Sequence, residues 1–256
     1  MRERRRIEWV GWCVAALIAS SAVGCDAVQG AIDDVAGDSS KSGKGKGEGK
    51  KKKKGKKKRG HRMPGKSGVV PAPDPGASIQ PKKGAWVKYA TRPKTEAPGT
   101  LTWSVVGQPE PTNYLIELEM ASGSQRFITR ADAIIVDLRD PDGNDFKAFE
   151  FKVPGHRSVT LPGIMQTQMK GTVAALFQIA NPKRIEGAPQ ETVKVKAGTF
   201  EGCYKIKGPG VAFGVKQLAT HWVHPSVPLP AIVKTVAAEG EMELHSYALS
   251  GAKSAF

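Results

Sequence analysis

Alternating apolar and polar residues recur along the C-terminal part of the chain and constrain its fold more than any other feature. In Tyr114–Met120 every second residue is apolar, and Glu117 and Glu119 fall between them. Phe149–Val153 and Thr192–Lys196 repeat the pattern. Because successive side chains of a β-strand point to opposite faces, the alternation predicts strands with one buried face. Further strand candidates are 85–91, 101–107, 125–130, 133–138, 200–207, 211–223, 231–237 and 241–249.

Turn-forming residues separate these strand candidates. They include Pro98-Gly99, Ser122-Gly123, Ala197-Gly198 and Glu239-Gly240. Short strands joined by close turns are typical of antiparallel sheets, sandwiches and barrels. We therefore predict a mainly β fold, a strongly curved antiparallel sheet or open β-barrel of about ten strands.

One segment, 163–180, breaks the pattern with helical spacing. Its apolar residues fall on one face of a helix. They are Met165, Met169, Val173, Leu176, Phe177 and Ala180. Pro162 precedes the segment and Asn181-Pro182 follows it, and both favour a boundary there. We predict a single amphipathic helix that covers one face or one mouth of the sheet.

The positive charge of the chain is concentrated in one tract. Residues 41–66 contain fourteen Lys and Arg against Glu48 alone, in a chain of net charge +15. Met63 is their only large apolar residue, so the tract cannot bury enough surface to offset the entropy of ordering. We predict a disordered linker, first Lys/Gly-rich and then Pro-rich, over 25–83, and a folded β-rich domain over 84–256.

The N-terminus is typical of an export signal. Arginines in Arg2–Arg6 precede an apolar run, Trp12–Ala19, which is shorter than the roughly 20 residues needed to span a membrane. Ala22-Val23-Gly24-Cys25 follows and resembles the bacterial lipobox, with Ala where Leu is more usual. The resemblance implies cleavage just before Cys25 and attachment of diacylglycerol to its thiol. Residues 1–24 are then a lipoprotein signal peptide.

This anchor predicts a location and a set of partners. A lipid on Cys25 places the protein in the envelope of a Gram-negative bacterium, facing the periplasm. Asp26 favours the inner membrane by the enterobacterial rule, and the choice between inner and outer membrane stays open. The Lys-rich tract is either a solvated spacer or a contact with anionic lipid or an envelope polymer, and export excludes nucleic acid. The candidate contact residues are Lys50, Lys51, Lys52, Lys53, Lys54, Lys56, Lys57, Lys58 and Arg59.

Two apparent ligand-binding motifs lack the context that their chemistry needs. Gly60–Ser67 matches the P-loop pattern, but a Lys run precedes it and prolines follow it, where a strand and a helix are required. The acidic run Asp137–Asp145 resembles a calcium loop until Gly143 is aligned with the invariant glycine. Leu138 and Phe149 then occupy positions that require carboxylates. We predict a hairpin turn for this run.

Catalytic and metal-binding patterns are nearly absent from the sequence. His221 and His224 form the only close histidine pair, and side chains three apart in a strand point to opposite faces. An enzyme of unrecognised class would use these two residues with His245 and Glu243. We expect no catalytic activity, metal or cofactor, and a buried, inert thiol at Cys203.

Three stretches of the domain carry a resemblance to bacterial exported proteins. They are Gly84–Tyr89, Glu191–Tyr204 and His221–Val233. Their signatures look like those of open β-barrels related to lipoprotein carriers and receptors (LolA/LolB-like). The resemblance implies a curved sheet that wraps helices and leaves an apolar concavity for an acyl chain. This chain has one helix and is itself tethered, which favours a fixed receptor or scaffold over a soluble shuttle.

These observations predict a membrane-tethered, non-catalytic binding or scaffold module that holds an apolar ligand or another envelope protein. A purely structural lipoprotein and an unrecognised enzyme are the alternatives, and oligomeric state stays open. The candidate pocket residues are Phe149, Phe151, Met165, Met169, Phe177 and Trp222.

Overall fold

The computed structural model describes residues 68–256 apart from 75–78, 80, 96, 137–143, 162, 180 and 213–214. The predicted signal peptide, Cys25 and Asp26, the Lys-rich tract and the P-loop-like segment lie outside the described residues. The side chain of Met165 also lies outside the description.

Twelve strands and two helices make up the described chain. The strands are β1 (Val69–Val70), β2 (Trp86–Pro93), β3 (Gly99–Glu110), β4 (Asn113–Ser122), β5 (Gln125–Ile134), β6 (Asp145–Lys152), β7 (Val159–Thr160), β8 (Gln190–Val195), β9 (Gly198–Ala212), β10 (Val215–Val223), β11 (Ile232–Ala237) and β12 (Gly240–Ala248). The helices are α1 (Gly163–Ile179) and α2 (Pro182–Ile185).

All twelve strands belong to one sheet. Its order is β1-β9-β10-β11-β12-β2-β3-β4-β5-β6-β7, and β8 pairs with β9 as well. Every pair is antiparallel except β1 with β9, which run parallel. The mainly β prediction is confirmed. The sheet is mixed and not closed, with about twelve strands where about ten were predicted.

The structure divides two regions into strands differently from the sequence prediction. The candidates 125–130 and 133–138 lie largely within the continuous strand β5, because no turn residue interrupts Ala131-Asp132 and the alternation runs through them. The candidate 211–223 is divided, since β9 extends to Ala212 and β10 begins at Val215. The acidic run 137–145 connects the antiparallel pair β5 and β6, as expected for a hairpin, although 137–143 lie outside the description.

The predicted helix is confirmed as α1, and it connects strands at opposite edges of the sheet. The chain enters α1 from β7 at one edge and leaves through α2 into β8, near the other edge. Asn181 separates the helices, and its Oδ1 accepts a hydrogen bond of 2.9 Å from the backbone N–H of Lys183. Pro182 begins α2, where a missing N–H costs nothing.

One face of the sheet, which we call the inner face, carries the core. Val87, Trp103 and Leu118 are register partners on neighbouring strands, and all three are buried there. The apolar stripe of α1 packs on this face: the Phe177 ring lies edge-on to Trp103, with centroids 5.5 Å apart. Phe177 also stacks on Phe146 of β6 at 5.6 Å. The helix therefore contacts the inner face at β3 and β6.

The opposite, outer face is polar and is partly covered by the last residues of the chain. Glu117 of β4 faces outward as the alternation predicts, yet its exposure is only 4%. Its two carboxylate oxygens accept hydrogen bonds from Ser254 Oγ (2.5 Å) and the backbone N–H of Ala255 (2.9 Å). The guanidinium of Arg130 lies over the Phe256 ring, 4.3 Å from its centroid. These contacts hold residues 254–256 against β4 and β5.

Candidate functional site

The structure brings three of the predicted pocket residues together in the packed core. Phe149 of β6 and Met169 and Phe177 of α1 are buried in one hydrophobic cluster. The helix occupies the part of the inner face where they lie. A ligand could reach these three side chains only if α1 moved away from the sheet.

A different part of the inner face is less covered. Leu101, Met120, Phe151 and Met242 are half-buried, and we call them the apolar strip. Each belongs to the inner face, because each lies two residues from a buried inner-face residue on its own strand. Each also lies within two residues of the end of its strand, at the same end of the sheet.

Cross-strand contacts connect three members of the strip, and β2 lies between them and Met242. Leu101 and Met120 are register partners on β3 and β4, and Phe127 of β5 is the partner of Met120. The Phe127 ring in turn lies 6.2 Å from the Phe151 ring. Only Phe151 of this strip was among the pocket residues predicted from the sequence.

Trp222, another predicted pocket residue, lies on the outer face of β10. Its register partner Lys205 places its ammonium group 5.3 Å from the Trp222 ring centroid. The indole Nε1 donates a hydrogen bond to Glu191, which also pairs with Lys205 at 3.1 Å. Trp222 therefore belongs to a polar outer-face cluster and is separated by the sheet from the apolar strip.

A second cluster, polar and on the inner face, adjoins the strip. His221 of β10 is 1% exposed, and its Nδ1 shares a hydrogen bond of 3.0 Å with Oγ1 of its register partner Thr235. A terminal nitrogen of Arg184 lies 2.6 Å from the position that a Cβ on Gly208 would take. Gly208 pairs with Ala219, two residues from His221, so Arg184 lies on the inner face diagonally beside His221.

This cluster has unused hydrogen-bonding capacity. Within the described chain, Nε2 of His221 is buried without a hydrogen-bond partner, and the Arg184 guanidinium has no hydrogen bond or ion pair. Burial, reinforced by the positive charge of Arg184, lowers the pKa of His221 to about 4. His221 is therefore neutral at neutral pH, and Arg184 supplies the charge of the cluster.

The other residues considered for catalysis each have separate partners. His224 follows the end of β10; its Nδ1 accepts a hydrogen bond from the Ser226 backbone N–H, so Nε2 carries the proton and donates to Pro71 O at 3.1 Å. Glu243 lies on the outer face and pairs with Lys234 at 2.7 Å. His245 Nδ1 lies 3.3 Å from the Ser246 hydroxyl oxygen. Among the described residues, no group of three or more His, Cys, Asp or Glu side chains is placed to hold a metal ion.

Residues before position 84, outside the predicted domain, contribute to the fold next to the C-terminal end of β10. Where β10 stops, β1 takes its place beside β9, and Val70 pairs with Phe200. The chain then passes so close to Gly202 that a Cβ there would lie 2.8 Å from the Cβ of Ala72. Gly202 also has a φ of 67°, which favours glycine. Ile79 is buried in the core.

Cys203 is buried, as the sequence predicts. Its Sγ lies 3.6 Å from the Phe200 carbonyl oxygen. Burial, with a smaller contribution from the negative charge of Glu191, raises the pKa of the thiol to about 12. The thiolate form that reacts with electrophiles and metals is thus scarce at neutral pH.

Comparison with known protein families and with curated proteins gives no match for this chain. None of the helices described is long and apolar enough to cross a membrane. The assignment of function therefore rests on the inner face itself.

Proposed function

We propose that this protein is a membrane-tethered periplasmic lipoprotein, a non-catalytic binding module that holds an apolar ligand against the apolar strip. The observation that carries the proposal is the strip itself. Four large apolar side chains, from four different strands, remain half-buried at one end of the inner face, where most other apolar residues are buried. Accessible apolar surface of this kind, next to a few polar groups, is typical of ligand sites.

The way in which α1 packs supports an open, curved sheet around this site. The helix contacts β3 through Trp103 and β6 through Phe146, and it also contacts β9 toward the other end of the sheet. In addition, β8 contacts β11 and β12, and the Ala197 backbone N–H donates to Leu244 O at 3.2 Å. We propose that the sheet wraps around α1 as an open barrel, with the apolar strip at its mouth.

The lipobox-like sequence supports the tether. We propose that diacylglycerol on Cys25 holds the domain near a membrane, within reach of lipids that could serve as ligands. Replacing Cys25 with Ala is expected to move the protein from the membrane fraction to the soluble periplasm or to leave an unprocessed precursor. Unchanged membrane partition of this variant would contradict the lipid anchor.

A fluorescence titration tests the binding function. The probe is the methyl ester of cis-parinaric acid, an uncharged polyene whose emission rises in an apolar site. We expect saturable binding to the chain carrying Cys25→Ala, and a loss of about tenfold or more when Met120→Lys adds a charge to the strip. The matched control is Ala121→Lys, one residue along β4 and on the outer face, which is expected to bind as before. Equal affinities for the two variants would overturn the proposal.

A further inference from the structure

We propose that Arg184 and His221 form an anion-binding subsite, and that the ligand of the apolar strip is an amphiphile with a carboxylate or phosphate head group. This inference rests on the proposed binding function and extends it. It arises from two polar groups without hydrogen-bond partners among the described residues, the buried Nε2 of His221 and the half-buried guanidinium of Arg184. A buried polar group without a partner costs free energy that a bound ligand can restore.

The geometry of the subsite suits an anion. The Arg184 guanidinium has five N–H donors and no acceptor, and no described acceptor meets them. When the Thr235 hydroxyl donates to Nδ1 of His221, Nε2 carries the proton and becomes a second donor on the inner face. Charge-assisted hydrogen bonds from a guanidinium and an imidazole N–H are those that carboxylate and phosphate oxygens accept best.

Gly208 leaves space on the sheet for the cation. Any side chain at 208 would occupy the space in which the guanidinium lies, since its Cβ would be 2.6 Å from the Arg184 nitrogen. The short helix α2 carries Arg184, and its neighbour Ile185 anchors the helix in the core. Arg184 is thus directed onto the sheet, whereas the adjacent Lys183 is exposed.

The register of the sheet connects this subsite to the apolar strip. His221 pairs with Thr235, Thr235 with Met242, and Met242 with Thr91. The next strands, β3 and β4, carry Leu101 and Met120. Five strand spacings of about 4.8 Å separate β10 from β4, so the path across the inner face is about 24 Å long. A long acyl chain matches this length, and the proposal places its head group at Arg184 and its far end on the apolar strip.

A pair of ligands that differ only in the head group distinguishes its contribution to binding from that of the acyl chain. The chain carrying Cys25→Ala is titrated with cis-parinaric acid and with its methyl ester. We expect the acid to bind about ten- to hundredfold more tightly than the ester, the gain typical of hydrogen bonds to a charged group. Palmitate, hexadecyl phosphate and hexadecanol, used as competitors, then show whether a carboxylate or a phosphate is preferred.

Variants assign the preference to the subsite. Arg184→Ala is expected to remove the preference for the acid, and Gly208→Ala, which shifts the guanidinium, is expected to weaken it. Affinity for the ester is expected to be unchanged in both, which also shows that the variants are folded. Lys183→Ala, the matched control, is expected to retain the preference. Equal affinities of the unmodified site for acid and ester, or a preference that survives both substitutions, would overturn the subsite alone. Failure of both probes to bind would overturn the proposed function and the subsite with it.

Discussion

His224 donates a hydrogen bond through Nε2 to the backbone oxygen of Pro71, across 3.1 Å. The imidazole is fully buried, so this bond satisfies a donor that has no access to water. It joins the end of β10 to the segment that leads into the domain. The segment predicted to be linker therefore contributes, in its last part, to the hydrogen bonding of the folded domain.

Truncation tests this contribution. A chain without residues 26–67 is expected to be as stable as the full chain. Removing 26–83 instead deletes β1, leaves His224 Nε2 without its acceptor and takes the buried Ile79 from the core. We expect a loss of about 3 kcal/mol or more in the free energy of unfolding, measured by urea denaturation. Equal midpoints for the two truncated chains would show that 68–83 add nothing to stability.

The C-terminal contact with Glu117 is also expected to stabilise the domain. Ser254→Ala removes one of the two hydrogen bonds to a buried carboxylate. Because bonds to charged groups are stronger than neutral ones, we expect a loss of about 1.5 to 3 kcal/mol in urea unfolding. Lys253→Ala, at an exposed neighbouring position, is the control and is expected to have no effect. If the urea midpoint of Ser254→Ala equalled that of Lys253→Ala, the contact would not stabilise the domain.

The burial of His221 predicts a pH dependence of stability. Its pKa is about 4 in the folded chain, against 6.5 for an ordinary histidine. Between these values the unfolded chain binds a proton that the folded chain does not. The free energy of unfolding is therefore unaffected by the protonation of His221 above pH 6.5. It decreases as pH falls from 6.5 toward 4, by about 3 kcal/mol.

Unfolding of wild type and His221→Gln at several pH values between 7 and 4 isolates this effect. We expect the difference between the two chains to shrink as pH falls through this window. His156→Gln, in an exposed turn, serves as the control. A difference between wild type and His221→Gln that stays constant with pH would show that His221 is protonated equally in folded and unfolded chains.

The Lys-rich tract is expected to bind anionic membranes. Near such a surface each basic residue contributes roughly 1 kcal/mol, and salt screens the attraction. A chain of residues 26–256, which lacks Cys25, is expected to sediment with anionic liposomes at low salt and to be released at high salt. Replacing Lys50–Lys58 with Gly and Ser is expected to abolish sedimentation. Absence of sedimentation at low salt would identify the tract as a spacer only.

Local patterns predicted much of the fold because each strand carries its own alternation. Tyr114–Met120 shows which face is buried without reference to its neighbours, and α1 shows its stripe in the same way. The strand β1 was missed because its two residues, Val69 and Val70, are too short to show a period. Its pairing partner, β9, is also far away in the chain.

The site was harder to predict because it depends on long-range register. Phe149, Met169 and Phe177 are apolar and periodic, which identifies buried residues but does not separate a packed core from a pocket. The sequence singled out His221 only as a candidate catalytic residue. Its proximity to Arg184 gave no signal, since only the pairing of β9 with β10 brings the two together. A glycine at 208 between two strand-forming segments was the one local indication of a close approach.

Mass spectrometry of lipid extracted from the purified protein tests the central claim most directly. The full chain with Cys25→Ala is used, so that no covalent lipid is counted, and Met120→Lys and Ala121→Lys are prepared in parallel. The account predicts an amphiphile in near-equimolar amount in the parent chain and in Ala121→Lys, and its loss in Met120→Lys. Extracts of the parent chain that contain no more lipid than those of Met120→Lys would contradict an apolar ligand on the inner face.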